Sequence, residues 1–161
     1  MGEHGEEQLR IGRGRLTYLT APIASLTRGS VTTMNDTIRK NILILDPERD
    51  ISELFARALE RRRDCKCYLA CRGQEAIDLL GDITFDLLLI DIGTVMEGDF
   101  SLLKKIRRLF PGITIIIDAY LHQKELITRA LSLGASGYFI KPIQIDSFRK
   151  KMDEFYAMSP T

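Results

Sequence analysis

Phe85-Asp86-Leu87-Leu88-Leu89-Ile90-Asp91 is a short apolar run closed by an acid. Such a run, with no polar alternation after Asp86, suits a strand buried on both faces, as in a parallel sheet. The same pattern stands upstream in Asn41-Ile42-Leu43-Ile44-Leu45-Asp46 and downstream in Ile113 to Ile117, which Asp118 and Ala119 follow. Shorter strands are expected at residues 66–70 and 138–140. Helical spacing fills the intervals. Ile51, Leu54, Phe55, Ala58 and Leu59 form one stripe, with Asp50 and Glu53 as a capping box and Arg61 to Arg63 in the last turn. Ala76, Ile77, Leu79 and Leu80 form a second stripe, entered at Gly73 and ending near Gly81. Phe100, Leu102, Leu103, Ile106, Leu109 and Phe110 form a third, stopped by Pro111-Gly112. Leu126, Ile127, Ala130, Leu131 and Leu133 form a fourth that ends at Gly134, and Ile145, Phe148, Met152 and Phe155 form the last. Five strand–helix units in succession predict an α/β fold with a doubly wound, five-stranded parallel sheet covered on both faces.

Composition bounds the function. The chain has 161 residues, which suits one domain. Its 23 Lys and Arg against 22 Asp and Glu give a formal charge of +1, which argues against a dedicated nucleic-acid binder. No apolar run is long enough to span a bilayer. Three cysteines form no disulfide framework, and a reducing cytoplasm is expected. Cys65, Cys67 and Cys71 have no evident fourth ligand for zinc. His4 and His122 lie too far apart for a multi-histidine metal centre, and His122 reads as a solvated loop residue.

Residues 1–37 read as a flexible N-terminal segment, 38–158 as the folded domain and 159–161 as a tail. Arg10, Arg13 and Arg15 before Leu16 to Leu26 resemble a secretory signal, but Glu3, Glu6 and Glu7, with Thr17, Thr20, Thr27 and Thr32, argue against one. Met34 is an alternative natural start.

Ligands of such sheets sit at the carboxyl ends of the strands. With the strand order 2-1-3-4-5, Asp46 and Asp91 are neighbours there, and Lys141 reaches the same edge. Adjacent carboxylates raise each other's pKa unless a cation intervenes, and Mg²⁺ is commonly held by one or two carboxylates with waters. Acids, a cation and a lysine together suit phosphoryl chemistry. Asp91 as an ordinary strand-end acid is the plain alternative. Arg61 to Arg63 and Lys104 to Arg108 are expected to be solvated helix faces.

The stretch from about residue 41 to 158 resembles the receiver domain of bacterial two-component response regulators. The matching residues are Ile-Leu-Ile-Leu-Asp46, Phe85-Asp-Leu-Leu-Leu-Ile-Asp91-Ile and Gly134-Ala-Ser-Gly-Tyr138-Phe-Ile-Lys141-Pro142. The resemblance implies a flavodoxin-like (βα)5 fold. It implies Asp91 as acceptor of a phosphoryl group from a histidine kinase or phosphotransfer protein, and Lys141 as partner of Asp91 and then of that group. Mg²⁺ would be held by Asp46, Asp91 and the backbone carbonyl of Gly93. Tyr138 would be the aromatic switch, with simple strand packing as its alternative, and Lys141-Pro142 a cis peptide. The chain is then a signalling domain and not an enzyme; a phosphatase on this architecture would need an acid where Gly93 stands. With three residues after the last helix, a single-domain receiver is expected. Its output would be a protein contact through the fourth helix, fifth strand and fifth helix, and a homodimer stays open.

Three departures accompany the resemblance. Pro47 replaces a second acid, which weakens the expected Mg²⁺ site, and Glu48 is the candidate substitute. The hydroxyl expected at the end of the fourth strand is missing, because ungapped counting places Ala119 there and a one-residue shift places Asp118. Tyr120 would narrow the entrance in the first register. In the second, Asp118 would repel phosphate or recruit a cation, although its plain reading is a solvated strand-end residue. The loop expected after Asp91, Ile92 to Gly98, carries Val95 where a proline is usual. These departures support an alternative, a pseudo-receiver that binds proteins without phosphorylation.

Overall fold

The computed structural model describes residues 39–61 and 64–158. The expected N-terminal segment 1–37, the start at Met34, the signal-like stretch, the tail 159–161, and Arg62 and Arg63 lie outside the described residues. Five strands, β1 (Lys40–Leu45), β2 (Cys65–Ala70), β3 (Leu87–Asp91), β4 (Thr114–Tyr120) and β5 (Gly137–Lys141), form one parallel sheet in the order β2-β1-β3-β4-β5. Five helices alternate with them: α1 (Arg49–Glu60), α2 (Gly73–Asp82), α3 (Ile92–Leu109), α4 (Lys124–Ser132) and α5 (Ile145–Met158). The flavodoxin-like arrangement is as expected.

Strand periodicity divides the core into two layers. Ile42, Ile44, Leu87, Leu89, Ile116 and Phe139 pack under α1 and α5, where Phe55 stacks on Phe148 at 4.5 Å and meets the edge of Phe139 at 5.6 Å. Leu43, Leu45, Leu88, Ile90, Ile115, Ile117 and Ala119 face the other way, against α2, α3 and α4. Lys141-Pro142 is cis. No helix among the described residues is long and apolar enough to cross a membrane.

Four local expectations need correction. The cap of α1 is Glu48 and not Asp50, and Glu53 pairs with Arg49 and Arg57 along the helix. The cause lies at the strand end: Asp46 Oδ1 accepts the Glu48 amide at 2.7 Å and starts the turn two residues early. The segment after Asp91 is helical at once, because Asp91 caps it by accepting the Thr94 amide at 3.2 Å. The helix then breaks at Glu97–Phe100, where Gly98, Asp99 and Phe100 all adopt left-handed backbone (φ 56°, 57° and 60°). Two of those residues carry side chains and bear a local cost. Asp99 is held there by Lys104 and by Arg129 of α4, whose guanidinium also lies 4.9 Å from the Phe100 ring.

β4 runs to Tyr120, past the expected end at Ile117, because it stays paired with β3 through Asp91↔Asp118 and with β5 through Tyr120↔Lys141. Finally, Arg107 is not a solvated helix charge. It donates to the carbonyls of Pro111, Ile113 and Gly134 at 2.8, 2.8 and 2.6 Å, tying the end of α3 to the start of β4 and the end of α4.

Candidate functional site

Asp46, Asp91 and Lys141 stand at the ends of β1, β3 and β5, Asp118 stands two residues before the end of β4, and all four share one parity. The residue two positions before each, Ile44, Leu89, Ile116 or Phe139, belongs to the layer under α1 and α5. A period of two therefore carries all four polar groups to the same side of the carboxyl edge. One oxygen from each of the three carboxylates lies within 4.8 Å of the others. Lys141 Nζ donates to Asp91 Oδ1 at 3.0 Å and pairs with Asp118 Oδ2 at 3.3 Å.

The second oxygen of Asp91 accepts the Thr94 amide. Gly93 makes that turn possible, since a Cβ at this position would lie 2.8 Å from Asp91 Oδ2. Asp46 is buried, and its Oδ1 is occupied by the Glu48 amide. Two further oxygens, Asp46 Oδ2 and Asp118 Oδ1, are buried with no hydrogen-bond partner. Buried acceptors in this state signal a missing donor or cation. The set fits a hard divalent ion, with three carboxylates and two free buried oxygens.

Electrostatics follow from burial. Desolvation pushes the Asp118 carboxyl up to about 7; Lys141 opposes the shift, while Asp91 and Asp46 add to it. Asp46 is also raised, by burial first, with the Glu48 amide pulling back and the Asp91 charge adding. Burial works against the Lys141 ammonium, but Asp118 and Asp91 outweigh it and hold the group above its usual range.

Asp118 is therefore not the solvated strand-end residue expected of it, since only 1 % of its surface is exposed. The extension of β4 is the reason. Ile116 could have indicated this, because alternation puts Asp118 on the same face two residues later. Ala119 is fully buried in the opposite layer, so neither register supplies a hydroxyl. Tyr120 is half-exposed and places its ring 5.0 Å from Lys141 Nζ, with His122 stacked beyond it at 5.9 Å.

Glu48 is exposed and stands outside the carboxylate group. Tyr138 is likewise outside it: the residue is 38 % exposed on β5, with Lys151 Nζ 5.6 Å from the ring. Val95 is buried in the core. Cys65, Cys67 and Cys71 are free thiols. The Arg129–Asp99 contact and the break in α3 had no sequence signal beyond Gly98.

The response regulator receiver domain is matched over residues 42–153. The chain belongs to the response regulator receiver family. Among curated relatives, the transcriptional regulatory protein ZraR of Escherichia coli K12 is 31 % identical over 118 residues, covering 73 % of this chain and 27 % of that protein. The transcriptional regulatory protein MalR of Bacillus subtilis is 26 % identical over 116 residues, covering 71 % of this chain and 49 % of that protein. This receiver thus spans about a quarter to a half of those relatives. Among solved structures, a two-component response regulator from Clostridium difficile superposes with a TM-score of 0.68 at 27 % identity, over 76 % of this chain and all of that one. A response regulator from Thermotoga maritima gives 0.66 at 26 %, over 74 % and 98 %.

Proposed function

We propose that this receiver accepts a phosphoryl group on Asp91 from the phosphohistidine of a histidine kinase or phosphotransfer protein. The observation that carries the reading is the 3.0 Å pair between Lys141 and Asp91, set beside two buried acids at the carboxyl edge. An Asp91 carboxylate oxygen attacks phosphorus, the P–O bond of the acyl phosphate forms, and the P–N bond breaks with its electron pair on the departing imidazole. Lys141 first orients Asp91 and then neutralises phosphoryl charge as a compact ammonium. Asp46, Asp91 and the Gly93 carbonyl would hold Mg²⁺, which supplies electrostatic stabilisation of the transferring group. Gly93 leaves the Asp91 carboxylate accessible.

Output is a protein contact through α4, β5 and α5, where Leu131 and Tyr138 are exposed apolar side chains, with Tyr138 as the switch. The near-balanced charge favours a protein partner over nucleic acid, and a cytoplasmic location suits a kinase-coupled domain. A second reading is favoured by Pro47, which removes one acid from the end of β1, and by Asp118, which stands on the site edge where the resemblance implies a hydroxyl. It is a pseudo-receiver that binds its partner unmodified.

Intact mass after incubation with acetyl phosphate and Mg²⁺ separates the two. One phosphoryl increment in the parent, absent in Asp91→Asn, is expected. No increment with acetyl phosphate or with a kinase overturns phosphorylation and leaves the binding module.

A further inference from the structure

We propose that Asp118 is a ligand of the divalent cation and replaces, from β4, the acid that Pro47 removes from the end of β1. The inference rests on the cation site of the reading above, but not on phosphoryl transfer. Three observations carry it. Asp118 is nearly fully buried, and its Oδ1 has no hydrogen-bond partner. Its carboxylate belongs to the group that brings Asp46 and Asp91 within 4.8 Å. Its other oxygen, Oδ2, is fixed by Lys141 at 3.3 Å, and an outer partner of this kind orients a ligand.

The charge count agrees. Pro47 has no side-chain donor, so the β1 end contributes Asp46 alone from these two positions. With Asp91 and Asp118 the edge carries three carboxylates against one ammonium, an excess of two negative charges that a divalent ion cancels when all are ionised. The donors are oxygens throughout, which suits Mg²⁺ or a similar hard ion. The acid has moved from the strand on one side of β3 to the strand on the other, because β1 and β4 both flank β3. The ligand fan therefore opens toward β4, the flank where the resemblance implies a hydroxyl.

A plain ion pair with Lys141 is the competing account of Asp118, and it uses only Oδ2. It leaves the buried, unpaired Oδ1 without a role, whereas cation ligation occupies it.

The test is titration of the full chain with Mn²⁺ alone, followed by electron paramagnetic resonance of the free ion, with Mg²⁺ as competitor. The parent is expected to bind one Mn²⁺ that Mg²⁺ displaces. Asp118→Asn is expected to weaken Mn²⁺ by about tenfold or more, as Asp46→Asn should. Asp118→Ser is the second variant, and circular dichroism in chelator checks the fold of each. Adding Pro47→Asp to Asp118→Asn should recover part of the lost affinity. Parent-like Mn²⁺ binding by folded Asp118→Asn and Asp118→Ser overturns the inference. So does a parent that binds no Mn²⁺ at millimolar concentration. A parent that binds Mn²⁺ through Asp118 yet gains no phosphoryl increment overturns only the phosphoacceptor reading.

Discussion

Asp91 and Asp118 are register partners across β3 and β4, and the single ammonium of Lys141 bonds both. Like charges are thereby placed side by side at a buried sheet edge, a costly arrangement that the lysine partly offsets. The same arrangement gives the site its field. The features that destabilise the fold locally are those that suit a cation and a phosphoryl group.

Lys141→Met should therefore destabilise the metal-free protein. Removing one partner of a buried pair leaves the other uncompensated, at a cost of about 3 kcal/mol. The loss should be larger at pH 8 than at pH 5, because Asp118 takes up a proton more readily at the lower pH. Urea unfolding in chelator at the two pH values measures it. Equal losses at both would mean that Asp118 is not the group left unpaired.

Asp118→Asn should show the opposite sign. Folding raises the Asp118 pKa from 3.8 to about 7. The folded state keeps that proton where the unfolded chain has released it. The stability this provides is complete below pH 3.8 and is lost as pH rises to about 7. Between pH 5 and 8 the parent should lose on the order of 2 kcal/mol more than the asparagine variant, measured without metal. Parallel stability profiles would place the titration elsewhere.

The difference between Asp91 and Asp118 also marks where the sequence could be read. Asp46, Asp91 and Lys141 were legible because each closes a recognisable strand, and strand ends are where ligands bind in this architecture. Asp118 was misread because apolarity ends at Ile117 while strand pairing continues to Tyr120. Pairing is a tertiary property. The helical turn after Asp91 was hidden for a related reason: Gly93 and Thr94 are poor helix formers, and the turn forms around the Asp91 cap. The left-handed Asp99 and Phe100 depend on Arg129, 30 residues from Asp99, which no local pattern reports.

Gly93→Ala tests the close approach to the Asp91 carboxylate. The added methyl would meet Asp91 Oδ2 at 2.8 Å, so the carboxylate or the turn must shift. Phosphoryl uptake from acetyl phosphate should slow by roughly ten- to a hundredfold, since misplacement on this scale is costly to an oriented reaction. Thermal unfolding should move little, because Gly93 lies at the start of α3 and outside both core layers. A large drop in unfolding temperature with unchanged uptake would assign Gly93 to folding alone.

Arg129→Ala addresses the break in α3. Arg129 bonds the Asp99 carboxylate and covers the Phe100 ring, and these two residues hold the left-handed backbone next to Gly98. Without the guanidinium, the segment Glu97–Phe100 loses its tie to α4, while Lys104 still holds Asp99. Amide exchange at these four residues should accelerate. Exchange in β1 and β3 should stay as in the parent, because the ion pair is exposed and contributes little to global stability. Hydrogen exchange resolved by mass spectrometry distinguishes the two regions. Unchanged exchange at Glu97–Phe100 would mean that Lys104 and the burial of Phe100 suffice to hold the break, and uniform acceleration across the sheet would make Arg129 part of the global fold.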